Sequence, residues 1–338
     1  MFDPLDNKRV PPPFTAADLP VLNGRVYHLN LRPDELASSV LLVGDPERVP
    51  LIAEEWLSSR EVDVEHRGLR TVTGRVRETG QRVSIVTSGM GTPSLEIVLG
   101  ELYALSAIDL ISRMPLRTMR PLTVIRLGTS GALQASTALG TAIVTTHAVG
   151  LDNTALFYDV DDETDEEQQI SSAVTLAVRA ALIPSARRAR AIAAYAATAD
   201  LAVVDALANA CERARVPAQR GVTVSSSGFF ANQGRAIFPF PIAVPDIDLV
   251  LAGLSFGPRL PRCENMEMEA SFLLHWARAL GFRAGVICPA IAHRTTDTFA
   301  EDYLEVMKRC GRAALLALAA LSNEGDEQRR TTGHAQTR

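Results

Sequence analysis

Short apolar runs and stretches of helical period alternate along almost the whole chain. Val40 to Val43 is four apolar residues closed by Gly44-Asp45-Pro46, a length that suits a buried strand better than a helix. Arg70 to Val76 and Arg82 to Ser88 alternate apolar and polar positions as strands do, and Gly89-Met90-Gly91-Thr92-Pro93-Ser94 opens a helix over Leu95 to Leu105. Further strands are predicted at Leu122 to Leu127, Gly140 to His147, Gly221 to Ser225 and Arg283 to Ala292. Helices are predicted at Ser171 to Leu182, before Pro184, and at Asp200 to Arg213. Two more follow, at Phe272 to Leu280, stopped by Gly281, and from about Phe299 to Leu321. Strands alternating with helices throughout predict one α/β domain.

The ends and two inner segments break this pattern. Residues 1–24 are polar and proline-rich, with Pro11-Pro12-Pro13, and read as an extended arm before a domain spanning 25–322. The polar tail, 323–338, is expected to be disordered. The acidic run from Asp159 to Glu167 reads as a solvated loop, and 237–262, rich in Pro and Gly, as a flexible flap. The Ala/Arg-rich stretch up to about Tyr195 has no clear assignment. The chain's 338 residues are 47% hydrophobic and 22% charged, values of a soluble globular protein with a full core. A net charge of −5 argues against a nucleic-acid surface. Cys211, Cys263, Cys288 and Cys310 have no CxxC spacing, so neither zinc nor a disulfide framework is indicated. No window approaches a membrane span and the N-terminus lacks an apolar signal region, so the expected compartment is cytoplasmic.

Four places concentrate chemistry. Glu264, Glu267 and Glu269 stand just before the Phe272–Leu280 helix. If residues 267–269 are extended, Glu267 and Glu269 point to one side, and the helix dipole favours their ionised form. Ionised carboxylates only accept hydrogen bonds, so they suit adjacent hydroxyls such as those of a ribose, or else simply face water. Arg126 lies inside a β-branched strand, where it is costly unless paired, and is followed by Gly128-Thr129-Ser130-Gly131. Guanidinium, hydroxyls and amides together make either a phosphate-sized anion site or a structural ion pair. The Gly44-Asp45-Pro46-Glu47-Arg48 turn is a weaker anion signal of the same kind. Phe229-Phe230 followed by Gln233 and Arg235 could stack on a planar ring and bond its edge, or form a surface loop with buried phenylalanines. Taken alone, His28 reads as a packed structural histidine and His66-Arg67 as a solvated turn.

Five stretches occur in one order: Tyr27-His28-Leu29, Gly44 to Arg48, Arg126 to Gly131, Phe229 to Arg235, and Glu267-Met268-Glu269. Together they resemble the nucleoside phosphorylase-I family, most like its uridine phosphorylases, from about Val26 to Leu321 with an insertion near 160–195. The resemblance implies a mixed central β-sheet flanked by helices. It implies reversible phosphorolysis of uridine to uracil and ribose 1-phosphate in pyrimidine salvage, with inorganic phosphate as cosubstrate and no metal or organic cofactor. Phosphate would be held by Gly44, Arg48, Arg126 and Thr129, with Arg67 supplied by a neighbouring subunit. Met268 and Glu269 would hold the ribose, with His28 from the neighbour. Phe229, Gln233 and Arg235 would hold the base, with Arg294 behind, and Arg48, Arg126 and Glu269 would carry the chemistry. The expected assembly is a homo-oligomer with sites shared across a dimer interface.

Two departures from the family pattern narrow this reading. His293-Arg294 replaces the Ser-Asp pair of purine-specific relatives, which argues against purines. Gly68 replaces an acidic residue that helps some relatives bind a monovalent ion, so no such ion is expected. The arm and the insertion would favour a dimer over a hexamer. The rivals are a purine nucleoside phosphorylase, a water-using nucleosidase, and a non-catalytic nucleoside-binding protein. Three arginines converging on one anion speak against the second, and the intact motifs speak against the third.

Overall fold

The computed structural model describes residues 13–160, 163–293 and 296–322, with the backbone of the closing helix continuing to Ala335. The expectations for residues 1–12 of the arm, for Arg294 and for side chains of the 323–338 tail lie outside the described residues.

Ser39–Val43 is buried at every position, as befits a strand covered on both faces. It pairs in parallel with Arg82–Thr87 on one side and Thr123–Leu127 on the other. From Arg82–Thr87 the sheet continues antiparallel through Leu69–Val76 to Leu57–His66 at the edge. That edge strand keeps only Leu57 fully buried, so the sequence pattern did not mark it.

The other half of the sheet curls. Thr123–Leu127 pairs in parallel with Arg283–His293, whose eleven residues reach three further partners: Ser130–Ala132, the 142–144 part of Ala142–Gly150, and Thr298–Phe299. Ala142–Gly150 pairs with Ala218–Ser225, that strand with Cys263–Glu267, and that one with Ser130–Ala132. The chain of pairings thus returns to Arg283–His293 and closes a small barrel, which removes a free edge. Among the described residues, twelve strands make this mixed sheet and seven α-helices flank it. None of those helices is long and apolar enough to cross a membrane.

Several sequence expectations need correction. The 13–24 part of the arm is not a free extension: Val21–Leu22 pairs with Arg25–Val26, and Phe14, Leu19 and Val21 pack against the core. The tail, expected to be disordered, continues the closing helix as far as Ala335. The acidic run is not all solvated loop: α3 (Asp165–Ala180) begins inside it, and Glu167 is fully buried. Thr164 and Glu167 form a reciprocal capping box. Glu167 also accepts from the Thr198 amide and hydroxyl and from Arg278 Nη1 at 2.6 Å, so its buried charge is compensated. The 237–262 segment is not a free flap. It contains α5 (Ile247–Ala252), and Ile242, Val244, Ile247, Leu251 and Phe256 are buried, most of them in a second core with Ile170 and Val174 of α3. The closing helix α7 runs Tyr303–Ala335, because Thr298–Phe299 pairs as a short strand with Arg283–His293. The unassigned Ala/Arg stretch forms a 3-10 turn, Arg188–Ala191, and the edge strand Tyr195–Thr198.

Candidate active site

The C-terminal ends of the parallel strands converge, and ligand crevices of open α/β sheets form at such ends. A cavity of about 380 Å³ opens there. Its lining includes Gly44, Arg48, Arg126, Thr129, Met268, Glu269, Phe229, Gln233 and Arg235, which the sequence reading singles out from four separated segments.

Arg126 sits at its floor, 3% exposed. Nη2 pairs with Glu269 Oε2, and Nη1 lies 3.3 Å from Glu267 Oε2. Burial works against the guanidinium charge, but the Glu269 and Glu267 carboxylates outweigh it and raise its pKa. Both carboxylates do face one side, because Glu267 ends a strand and Glu269 is the N-cap of α6 (Ala270–Ala279). Their duties differ. Glu267 accepts from the amides of Glu269 and Ala270 at 3.0 Å and from Ser225 Oγ at 2.5 Å. Its carboxylate is thereby consumed by the fold, and burial raises its pKa. Among the described residues Glu269 accepts one further bond, from the Gly91 amide at 2.5 Å, and it lines the cavity.

The anion end is built from two turns. Gly44 leads from Ser39–Val43 into α1 (Arg48–Trp56), and Arg48 follows at that helix's first position. Arg48 Nε stands 3.9 Å from Asp45 Oδ2, and burial and the nearby Arg126 lower its pKa against the pull of Asp45. The Nε atoms of Arg48 and Arg126 are both buried without a hydrogen bond among the described residues. Gly128 makes room for Arg126: a Cβ there would lie 1.9 Å from Nη1 and 2.8 Å from Cys288 Sγ. The Cys288 thiol, pushed up to about 12 by burial, accepts from Nη1 at 3.7 Å.

At the other end Arg235 stacks 3.9 Å over the Phe229 ring and bonds both Gln233 Oε1 and the Phe229 carbonyl. Gln233 is 6% exposed and donates from Nε2 to Ser226 Oγ at 2.9 Å. Gly234, at φ +73°, lets the chain turn between the two. His293 is tied elsewhere: Nε2 donates to the Gln134 carbonyl at 2.9 Å and Nδ1 accepts from the Thr296 amide at 3.3 Å. Those bonds occupy both ring nitrogens.

Two expected residues lie outside this cavity in the same chain. His28 Nδ1 bonds Glu101 at 2.8 Å, while Arg67 stacks on Tyr27 and donates to its hydroxyl at 3.2 Å. With His66, which bonds the His28 carbonyl, they form a separate cluster. Gly91, Ser225 and Phe299 belong to the site or its frame and were not singled out as site residues from the sequence, whereas Gly128 stood in the turn read as part of the anion site. Only the glycines of Gly89-Met90-Gly91, at φ +70° and +81°, carried a signal that could have found them.

The chain matches the phosphorylase superfamily over residues 39–323. It is 32% identical to a uridine phosphorylase of Thermococcus kodakarensis over 95% of both proteins. It is 27% identical to the uridine phosphorylase of Escherichia coli over 80% of this chain and 87% of that one. A Trypanosoma brucei nucleoside phosphorylase described as showing uridine phosphorylase activity superposes with a TM-score of 0.80 at 29% identity, covering 90% of this chain and all of that one. A fold with its cavity at the strand ends, and a match over most of the sequence, lead to one conclusion: this chain belongs to the phosphorylase superfamily.

Proposed function

We propose that this protein is a uridine phosphorylase, converting uridine and phosphate to uracil and ribose 1-phosphate and back. The observation that carries this is the pairing, in one cavity, of Arg126 beside Glu269 at one end with Gln233 beside Arg235 at the other. Phosphate lies against Arg126, Arg48, Thr129 and the Gly44 turn, where guanidinium groups and backbone amides favour an anion. Glu269 accepts from the ribose hydroxyls, with Met268 against the sugar. A phosphate oxygen attacks the anomeric carbon as the bond to the base nitrogen breaks, and the bond's electron pair leaves on uracil. That charge spreads onto the two ring carbonyls, where Gln233 and the Arg235 guanidinium donate to it, with Phe229 supporting the stack. Fixed donors aimed at developing charge are the largest rate term available to such a site. Water then supplies a proton to the uracil anion. This route calls for no metal or organic cofactor.

The His293 bonds favour a pyrimidine. A purine leaves most readily when an acid protonates its five-membered ring, and both nitrogens of this imidazole are engaged with backbone groups. We further propose a homo-oligomer in which the neighbouring subunit supplies Arg67 and His28, since both stand outside their own chain's cavity on a common surface. The cytoplasm suits a chain whose four cysteines are all free thiols. Uracil release from uridine, measured with and without phosphate beside inosine as competitor, tests the function. Phosphate-dependent cleavage of uridine is expected. Faster cleavage of inosine, or cleavage of uridine without phosphate, would overturn it.

A further inference from the structure

Behind the cavity lies a buried polar group that the chemistry above does not use. Asp152, 4% exposed, follows the Ala142–Gly150 strand. Its Oδ2 accepts from the Tyr195 hydroxyl at 2.7 Å and from the Ser271 hydroxyl at 3.1 Å. Its Oδ1 accepts from the Thr154 amide at 2.9 Å. A buried carboxylate is costly unless its hydrogen bonds are made, and these three bonds make them. Tyr195 reaches Asp152 because Gly150, its partner across the ladder, has no side chain: a Cβ there would lie 2.3 Å from the ring. Burial, with Asp152 alongside, raises the Tyr195 pKa well above that of an ordinary phenol, so the hydroxyl remains a donor.

The groups that Asp152 holds lead to Glu269 by two routes. Ser271 is in the first turn of α6, whose N-cap is Glu269. Thr154 bonds through its hydroxyl to Thr92 at 2.7 Å. Thr92 is the first residue of α2 (Thr92–Ala107), next to Gly91, whose amide grips the Glu269 carboxylate. One carboxylate therefore ties together the backbone that carries Glu269 and the backbone that aims it. The geometry points to Asp152, with Tyr195 as its hydroxyl partner, as the positioning residue that sets the orientation of Glu269 toward the sugar hydroxyls. This rests on the reading of Glu269 as the ribose-binding group.

Tyr195→Phe removes the hydroxyl and keeps the packed ring; Asp152→Asn disturbs the whole anchor. The first readout is the ratio of kcat/KM for uridine to that for 2′-deoxyuridine, with the KM for phosphate beside it. The second is amide exchange in the unliganded protein over the peptide containing Gly91. In Tyr195→Phe the uridine preference is expected to fall about tenfold while phosphate KM stays within twofold, and exchange at Gly91 is expected to quicken. A lowered Tm with equal losses on both nucleosides would reduce Asp152 to a purely structural role and overturn the inference. So would unchanged exchange at Gly91. If the unmodified protein fails to cleave uridine, the functional reading falls instead, and exchange at Gly91 alone decides the positioning role.

Discussion

Replacing Gly128 with alanine would drive a methyl group into the Arg126 guanidinium. The added Cβ would stand 1.9 Å from Nη1, whereas ordinary contact begins at 3.4 Å, so the guanidinium must retreat by about 1.5 Å. Cys288 Sγ at 2.8 Å closes one direction of escape, and Glu267, held in place by Ser225 and two backbone amides, anchors the other side. Gly128 does not need positive φ, so alanine introduces steric displacement without backbone strain. Misplacing a reacting group by about 1 Å costs on the order of a hundredfold in rate, which is about 2.7 kcal/mol at 1.36 kcal/mol per tenfold. Steady-state phosphorolysis across a phosphate series should therefore show kcat/KM for phosphate down about a hundredfold or more, with a cooperative melt retained. Gly100→Ala is the control. It lies within α2 with nothing within 4 Å of the new Cβ, and should add about 0.5–1 kcal/mol of stability with unchanged kinetics. Wild-type phosphate kinetics in Gly128→Ala would refute the placement of Arg126 at the anion.

Arg67→Ala mixed with Arg126→Ala should regain activity that neither has alone, because a hybrid dimer holds one intact site; subunit exchange without recovery would end the shared-site proposal. Arg235→Met should lower kcat/KM for uridine about a hundredfold or more and leave phosphate binding nearly unchanged, as isothermal titration would report. His147 and His275 are buried, and burial lowers the pKa of each below the usual 6.5, with Arg278 adding to the effect at His275. The unfolded chain takes up these protons near pH 6.5 while the folded chain does not, so stability falls as pH drops through that value, by up to about 1.4 kcal/mol per pH unit for each histidine. The loss levels off below the lowered folded pKa. Denaturant unfolding between pH 8 and 5 should show a shallower slope in His275→Gln, and an unchanged slope would count against the assignment.

What was legible in the sequence is what local pattern dictates. Strand ends followed by glycine turns, an arginine inside a β-branched strand, and carboxylates two apart before a helix all survive in place. What stayed hidden depends on distant partners. The Asp159–Glu167 run looks solvated until Arg278 and Thr198 arrive from far along the chain to satisfy Glu167. The spacing of Thr164 and Glu167 was the one local hint of that helix start. Barrel closure is invisible because Ser130–Ala132 is only three residues long and is a strand only by virtue of its neighbours. The side chains of 237–262 were read by their prolines and glycines, although Ile247 and Leu251 already carried helical spacing. Asp152 gives no sign of its importance at all, since its role exists only where α2 and α6 begin.

If Arg126 takes the phosphate and Glu269 the ribose, as proposed, their mutual grip would also couple the two substrates thermodynamically. Arg126 and Glu269 satisfy each other, so on the roles proposed above a ligand that draws one of them away leaves the other readier for the second ligand. Phosphate drawing Arg126 away leaves a carboxylate in need of donors, and a ribose supplies them; the reverse order gains equally. On those roles binding is expected to be positively linked, each ligand tightening the other by one and the same factor, within the five- to 150-fold span of about 1–3 kcal/mol. On the same roles a nucleoside arriving alone would meet a carboxylate still claimed by its arginine, so the phosphate-free complex, from which water could attack, would be sparsely populated.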